Sequence, residues 1–275
     1  LRDRGLIESA IQSIQPTHLY NLAGLSSLPA CEIQQDVCYD SNATSVARLL
    51  EAVRVFAPNC HFFQVSSITQ YRGGPEDQPI SLNEHPLPTS HYAVAKAAAQ
   101  SIVRLYRDQH SLYAVCGVAY PHESVLRPSN YLSRRISHQA ARASLKISQP
   151  PLSLWQPRDQ HDWGWSDDFC RAYQACLDAP EPRDYVIGNG DPRKLYGIVV
   201  GAFQAAFPHM DFATAAATME QHVTWRNDGA PPKPERPHSI DDRPPGWTPQ
   251  MSATQIFQAL VEASTIDLSS PPAFR

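Results

Sequence analysis

The sequence predicts an α/β chain, a partial doubly wound parallel sheet followed by a smaller C-terminal lobe, and three observations carry that prediction. Short apolar runs alternate with segments of helical periodicity in the N-terminal half. A Tyr-x-x-x-Lys pair, Tyr92 and Lys96, opens one helical segment shortly after an apolar run that ends in Ser66 and Ser67. Beyond about residue 150 the composition turns rich in Pro, Trp and Asp. Strands that alternate with helices form parallel sheets, and ligands of such sheets sit at the carboxyl ends of the strands. The predicted division is therefore a sheet domain over residues 1–150 and a second lobe over 151–275, with some elements of the latter returning to the sheet.

Taken in order, the chain starts at Leu1 inside an apparent helix. Thr17 to Gly24, with Leu19, Tyr20 and Leu22, reads as a short buried strand. Asn42 to Ala57 carries Val46, Leu49, Leu50, Val53 and Phe56 at helical spacing, with Ser41 or Asn42 as the expected cap. His61 to Ser67 is the next strand, and the Tyr92 helix continues through Ile102, Val103 and Leu105. Tyr113 to Ala119 is a third strand. The predicted strand ends are thus Ala23-Gly24, Ser66-Ser67 and Tyr120-Pro121-His122. Further on, helices are expected over Asp167 to Leu177, Leu195 to Phe207 and Ala253 to Ala263, with a Pro-rich loop or linker from Ala230 to Pro249.

Composition excludes several classes. A chain of 275 residues with 42% hydrophobic content is long enough for a real core. A formal charge of −4 and no Lys/Arg run argue against nucleic acid as a partner. No apolar stretch approaches the ~20 residues that span a bilayer, and Leu1-Arg2-Asp3-Arg4 is unlike a signal segment, so a cytoplasmic protein without membrane contact is expected. Cys31, Cys38, Cys60, Cys116, Cys170 and Cys176 show no C-x-x-C pair and are expected to be reduced and mostly buried. The eleven histidines lack metal-ligand spacing, and no metal is expected.

The chemistry rests first on Tyr92 and Lys96. Residues four apart on a helix share a face, so an ammonium lies beside a phenol and favours its phenolate. A phenol of pKa ~10 then becomes a usable base, and the Ser67 hydroxyl can polarise the same substrate oxygen. That combination serves hydride removal from an alcohol carbon. On its own the pair also fits a solvated helix face. No G-x-G-x-x-G turn occurs in the chain, and Gly73-Gly74 and Gly188-Asn189-Gly190-Asp191 read as plain turns rather than phosphate grips.

The order of motifs resembles the GDP-mannose 4,6-dehydratase family of extended short-chain dehydrogenases/reductases. The runs that carry the likeness are Gln15 to Gly24, Leu49-Leu50-Glu51-Ala52, Gln64 to Ser67, Tyr92 to Lys96, His122-Glu123-Ser124 with Arg127 and Asn130, and Arg134-Arg135-Ile136-Ser137. Asp162-Trp163-Gly164, Arg236-Pro237 and Gly246-Trp247-Thr248-Pro249 complete it. The resemblance implies a Rossmann-like domain binding NADP, a substrate lobe for a nucleotide-sugar, and a homo-oligomer or a pairing with a homologue. It implies Tyr92 as base at the sugar 4-hydroxyl, Lys96 on the nicotinamide ribose, and Ser67 as hydroxyl donor. Leu22, Ala23, Gly24 and Ser26, together with His122 and Arg127, would contact the cofactor, and Asn130 and Arg236 the nucleotide-sugar. In the family's reaction hydride leaves C4, water is lost across C5 and C6, and hydride returns to C6.

Several positions depart from that pattern. Thr69 stands where the family has the carboxylate that removes the C5 proton, a loss worth ~10²–10⁴ in rate. Glu76, Asp77 and Glu84 are the nearby acids in sequence. Pro121 replaces an Asn, His161 an Arg before Asp-Trp-Gly, and Leu25 a Gln in the cofactor turn. Together with the absent glycine turn these point to a truncated or decaying copy. Three functions follow as alternatives: a nucleotide-sugar 4,6-dehydratase, a 4-keto reductase or epimerase that needs only the hydride step, and a non-catalytic binding or scaffold protein.

Overall fold

Phe62 and Phe63 are neighbours on one strand and both fully buried, which requires helices on both faces of the sheet. The computed structural model describes residues 1–72, 78–226 and 236–270 and supplies those helices. The strands are β1 (His18–Asn21), β2 (His61–Ser67), β3 (Ala114–Ala119), β4 (His122–Glu123), β5 (Leu152–Trp155), β6 (Gln160–His161), β7 (Gly164–Trp165), β8 (Tyr185–Ile187), β9 (Arg193–Lys194) and β10 (Val223–Arg226). The helices are α1 (Arg4–Ile14), α2 (Leu28–Ile33), α3 (Gln35–Tyr39), α4 (Ser45–Phe56), α5 (His91–His110), α6 (Leu132–Ser144), α7 (Ser166–Leu177), α8 (Leu195–Ala206), α9 (Phe212–His222) and α10 (Ala253–Ser269).

The chain divides into two compact units, the first formed by Leu1–Tyr120, Cys170–Ile187 and Arg236–Thr248. Its sheet has the order β1-β2-β3-β8, and every pairing is parallel. Phe62 packs with Ile7, Leu50, Val53 and Val103 of α1, α4 and α5. Phe63 faces the other way, onto Tyr173 of α7, with ring centroids 4.7 Å apart. This is the doubly wound α/β arrangement expected. β1 is an edge strand, and Leu22 just beyond it is 52% exposed.

The second unit comprises Pro121–Phe169, Gly188–Glu235 and Pro249–Arg275, so the change of unit falls after Tyr120 and not near residue 150. Its core gathers Ile136 and Ala140 of α6, Val199 and Phe203 of α8, Met219 of α9, and Ile256, Phe257 and Leu260 of α10. β5 and β10 pair in parallel beside it. Helix α6 has few apolar residues, and the sequence pattern does not announce it. Of its buried polar residues, Ser137 and Gln139 have polar partners, the Ser137 and Ser264 hydroxyls being 3.0 Å apart and Gln139 Nε2 donating to His222 O at 2.8 Å, while Ser133 Oγ and Arg134 Nε have none among the described residues. α10 runs past its expected end at Ala263 to Ser269, and Ser264 and Asp267 of the added turns meet Ser137 and Arg134 of α6. A capping box of Ser252 and Gln255 starts it.

One cap is corrected. Ser41 and Asn42 do not begin a helix, because α3 runs into α4 through a π-helical turn at Asp40–Thr44. Ser41 Oγ instead donates back to Val37 O at 2.7 Å. All six cysteines are free thiols, and only Cys170 is exposed.

Candidate active site

The site starts at the carboxyl end of β2. Ser67 caps the short 3-10 turn Ile68–Tyr71, and Thr69 N and Thr69 Oγ1 donate to its Oγ at 3.3 and 3.0 Å. A hydroxyl offers two lone pairs and one proton. Both lone pairs of Ser67 are taken, which leaves the proton to be given away. Next to it, Ser66 Oγ donates to Lys96 O at 3.4 Å and ties the strand end to α5.

Ser90 caps α5 by accepting from Ala93 N at 3.2 Å, and the first turns then carry Tyr92 and Lys96. Tyr92 is half-buried against Cys31, Cys38 and Ala95. Lys96 is 4% exposed, with Nζ 5.6 Å from the centre of the Tyr92 ring and donating to Val65 O at 3.1 Å. Burial lowers the lysine pKa from 10.5 to about 8. An ammonium has three donors, and Val65 O is its hydrogen-bond acceptor among the described residues.

A third component was not singled out from the sequence as functional. Asn42, on the π-helical turn, gives its Nδ2 to Leu25 O at 3.1 Å and Cys38 Sγ at 3.5 Å, while its buried Oδ1 has no partner. A Cβ on Gly24 would sit 2.3 Å from that oxygen and 3.9 Å from Lys96 Nζ, so only glycine fits there. An acceptor without a donor and an ammonium short of acceptors thus flank the exposed bend after β1. Both fit hydroxyls of a nucleotide ribose. The signal available in the sequence was a polar residue on the apolar stripe of Val46, Leu49 and Val53; π-helical turns frequently mark functional sites.

The remaining expected residues are placed as follows. Leu22, Ala23, Gly24 and Ser26 form the exposed bend, with Ala23 N held by Asn21 Oδ1 at 3.3 Å. In the second unit His122 stacks on Phe169 at 4.5 Å. Arg127 pairs with Glu123 at 2.8 Å and lies 4.4 Å over the Tyr131 ring, and Asn130 is exposed. In the first unit Arg236 differs from the expectation of a substrate contact. Its five N–H groups go to Gln78 O, Tyr71 O, Pro79 O and both oxygens of Glu84, at 2.6 to 3.3 Å. It is a buried clamp with no donor left over, and Glu84 is thereby committed elsewhere than to Thr69.

Asp162 also builds structure. It accepts from Gly190 N at 2.7 Å and Asp191 N at 3.3 Å, which fixes the Gly188 to Asp191 turn, while the Trp163 ring stacks on His161. Gly73, Gly74, Glu76 and Asp77 lie outside the described residues. Among the described residues no cluster of His, Cys, Asp or Glu is arranged to hold a metal ion, and no helix is long and apolar enough to cross a membrane.

Known proteins resemble this chain in sequence and in fold. The family profile described as GDP-mannose 4,6 dehydratase matches residues 1–257. GDP-mannose 4,6 dehydratase of Drosophila melanogaster is 26% identical over 96% of this chain and 70% of its own length. The Homo sapiens protein of that name is 29% identical over 74% of this chain and 55% of its own. Among solved structures, RMD from Pseudomonas aeruginosa complexed with NADPH superposes with a TM-score of 0.83 at 17% identity, covering 97% of this chain and 86% of that one. A dTDP-glucose 4,6-dehydratase from Bacillus anthracis in complex with NAD gives 0.78 at 19%, covering 98% and 78%. These structural likenesses establish the fold.

Proposed function

Because the chain belongs to the GDP-mannose 4,6-dehydratase family, we propose that it acts on a nucleotide-sugar of the GDP-mannose type with NADP as cofactor. The observation that carries this reading is the buried Lys96 beside Tyr92, next to the unused polar groups that flank Gly24. Tyr92 takes the proton of the sugar 4-hydroxyl. It does so as a phenolate, which the Lys96 ammonium stabilises until the proton arrives, and the Ser67 proton steadies the same sugar oxygen. Lys96, Asn42 and the Leu22 to Ser26 bend hold the ribose side of the cofactor. The nicotinamide, when bound, supplies the hydride acceptor.

A second reading is favoured by Thr69. Its hydroxyl donates to Ser67, so Thr69 orients the proton donor instead of acting as a base. That arrangement suits a 4-keto reductase or epimerase, for which the redox step suffices. Titration of the purified chain with NADPH, with and without GDP-mannose, tests the common part; micromolar binding is expected, and absence of binding by folded protein returns the chain to a scaffold role. Incubation with GDP-mannose in D₂O then separates the two enzymes. Loss of water with deuterium at C5 marks the dehydratase, and redox without water loss marks the other. If elimination is absent in the native chain and Thr69→Glu restores it, the missing carboxylate is the reason.

A further inference from the structure

A cavity of about 670 Å³ lies within the second unit, and no residue of the candidate active site lines it. Its wall is one face of α6: Arg134, His138 and Arg142 recur every four residues, and Arg135 stands beside them. Gln149 and the C-terminal turn of α10, with Asp267, close the other sides. Like charges in such a row repel, and a counter-charge beside them relieves that repulsion. Among the described residues Asp267 pairs with Arg134, at 2.9 Å. Arg135 donates to Ser153 O at 3.3 Å, and among the described residues neither it nor Arg142 meets a carboxylate.

Two more features bear on the charge of the cavity wall. Arg134 is nine-tenths buried, yet its Nε has no hydrogen-bond partner. His138 is half-buried, and burial first, then the fields of Arg134 and Arg142, lower its pKa, with Asp267 opposing them. The imidazole is thus held back from protonation first by burial and then by positive charge, and an anion would offset the second of these. His222 of α9, the other titratable side chain close by, stacks on Phe203 and does not line the cavity.

We propose that this cavity binds a phosphate group, free or as an ester, with Arg135 and Arg142 as its charged contacts, Gln149 as a neutral donor, and His138 taking up a proton as the anion enters. The site is independent of the redox reading, since Tyr92 and Lys96 take no part in it.

Calorimetric titration of the intact chain with sodium sulfate at constant ionic strength tests the site. Sulfate stays a dianion near neutral pH, so a pH effect belongs to the protein. Saturable binding is expected, weakened about tenfold or more by Arg142→Gln or Arg135→Gln, each a loss of one charge-assisted contact. Lys146→Gln, which removes an exposed lysine outside the cavity, should leave it unchanged, and thermal melts confirm that each variant is folded. Binding tighter at about pH 5.5 than at about pH 8, with the difference lost in His138→Gln, is the second expected result. Lys96→Met should bind sulfate as the native chain does, even where it no longer responds to NADPH. No saturable binding, or equal loss in Arg142→Gln and Lys146→Gln, overturns the proposal. Competition then names the source: displacement at lower concentration by GDP than by inorganic phosphate assigns an ester, and the reverse order assigns free phosphate.

Discussion

Helix α5 carries two polar clusters of opposite character. Near its start, Lys96 has one acceptor and Asn42 opposite has an oxygen with no donor. Further along, Asp184 is 6% exposed and accepts from Gln100 Nε2 at 2.9 Å, Arg104 Nε at 2.6 Å, Arg107 Nη1 at 2.9 Å and Cys116 N at 3.3 Å. Both clusters put charge into the interior, where unpaired groups are costly. One is saturated by the chain itself and holds the helix to the sheet. The other is left short, which is what a site awaiting hydroxyl groups requires.

Substitutions at the two ends of the helix should separate these roles. Tyr92→Phe is expected to lower turnover by ~10²–10⁴, because it removes the base and keeps the ring that packs; steady-state kinetics beside circular dichroism, which should still show a folded chain, checks it. Asp184→Ala should do the reverse. It leaves two arginines and Gln100 without their common partner and costs ~3–5 kcal/mol in urea unfolding, while protein that remains folded keeps its affinity for NADPH.

Lys96→Met sharpens the contrast further. Lys96 holds its proton less tightly when folded, at about 8 against 10.5. The buried ammonium therefore weighs against folding most fully below about pH 8, by roughly 3 kcal/mol, and not at all above the unfolded value. Lys96→Met should stabilise the chain at neutral pH by up to that amount as it abolishes activity, with the gain fading as the pH rises through that window. A variant that is destabilised at pH 7 would show that Lys96 belongs with the structural cluster. The smallest effect is expected at Thr69→Ala, where one hydrogen bond to Ser67 is lost: about 1 kcal/mol in kcat/KM, carried by kcat.

What could be read beforehand follows from where the signals are local. β2 was legible to the residue, because His61 to Ser67 is a short apolar run bounded by turns, and α5 was legible from its period. Tyr92, Lys96 and Ser67 came with those two elements. Asn42 was visible only as a cap, since a π-helical turn leaves no local pattern that separates it from a helix start. Arg236 was assigned to the substrate by resemblance, and its partners Glu84 and Tyr71 are distant in sequence, so its role as a clamp had no local sign. Helix α6 was hidden for the same reason, the partners of its buried Ser137 and Gln139 lying on α10 and α9.

The sequence by itself determined the alternating order of strands and helices, the placement of Tyr92 one turn before Lys96, and the likeness to one family. Periodicity and spacing are properties of neighbours along the chain, and they survive without any knowledge of contacts. Only the tertiary structure decided which polar groups are spent and which are free. The unfilled acceptor of Asn42, the saturated guanidinium of Arg236 and the row of cations along α6 depend on partners brought together from far apart, and hydrogen-bond accounting can be done only once those partners are in place.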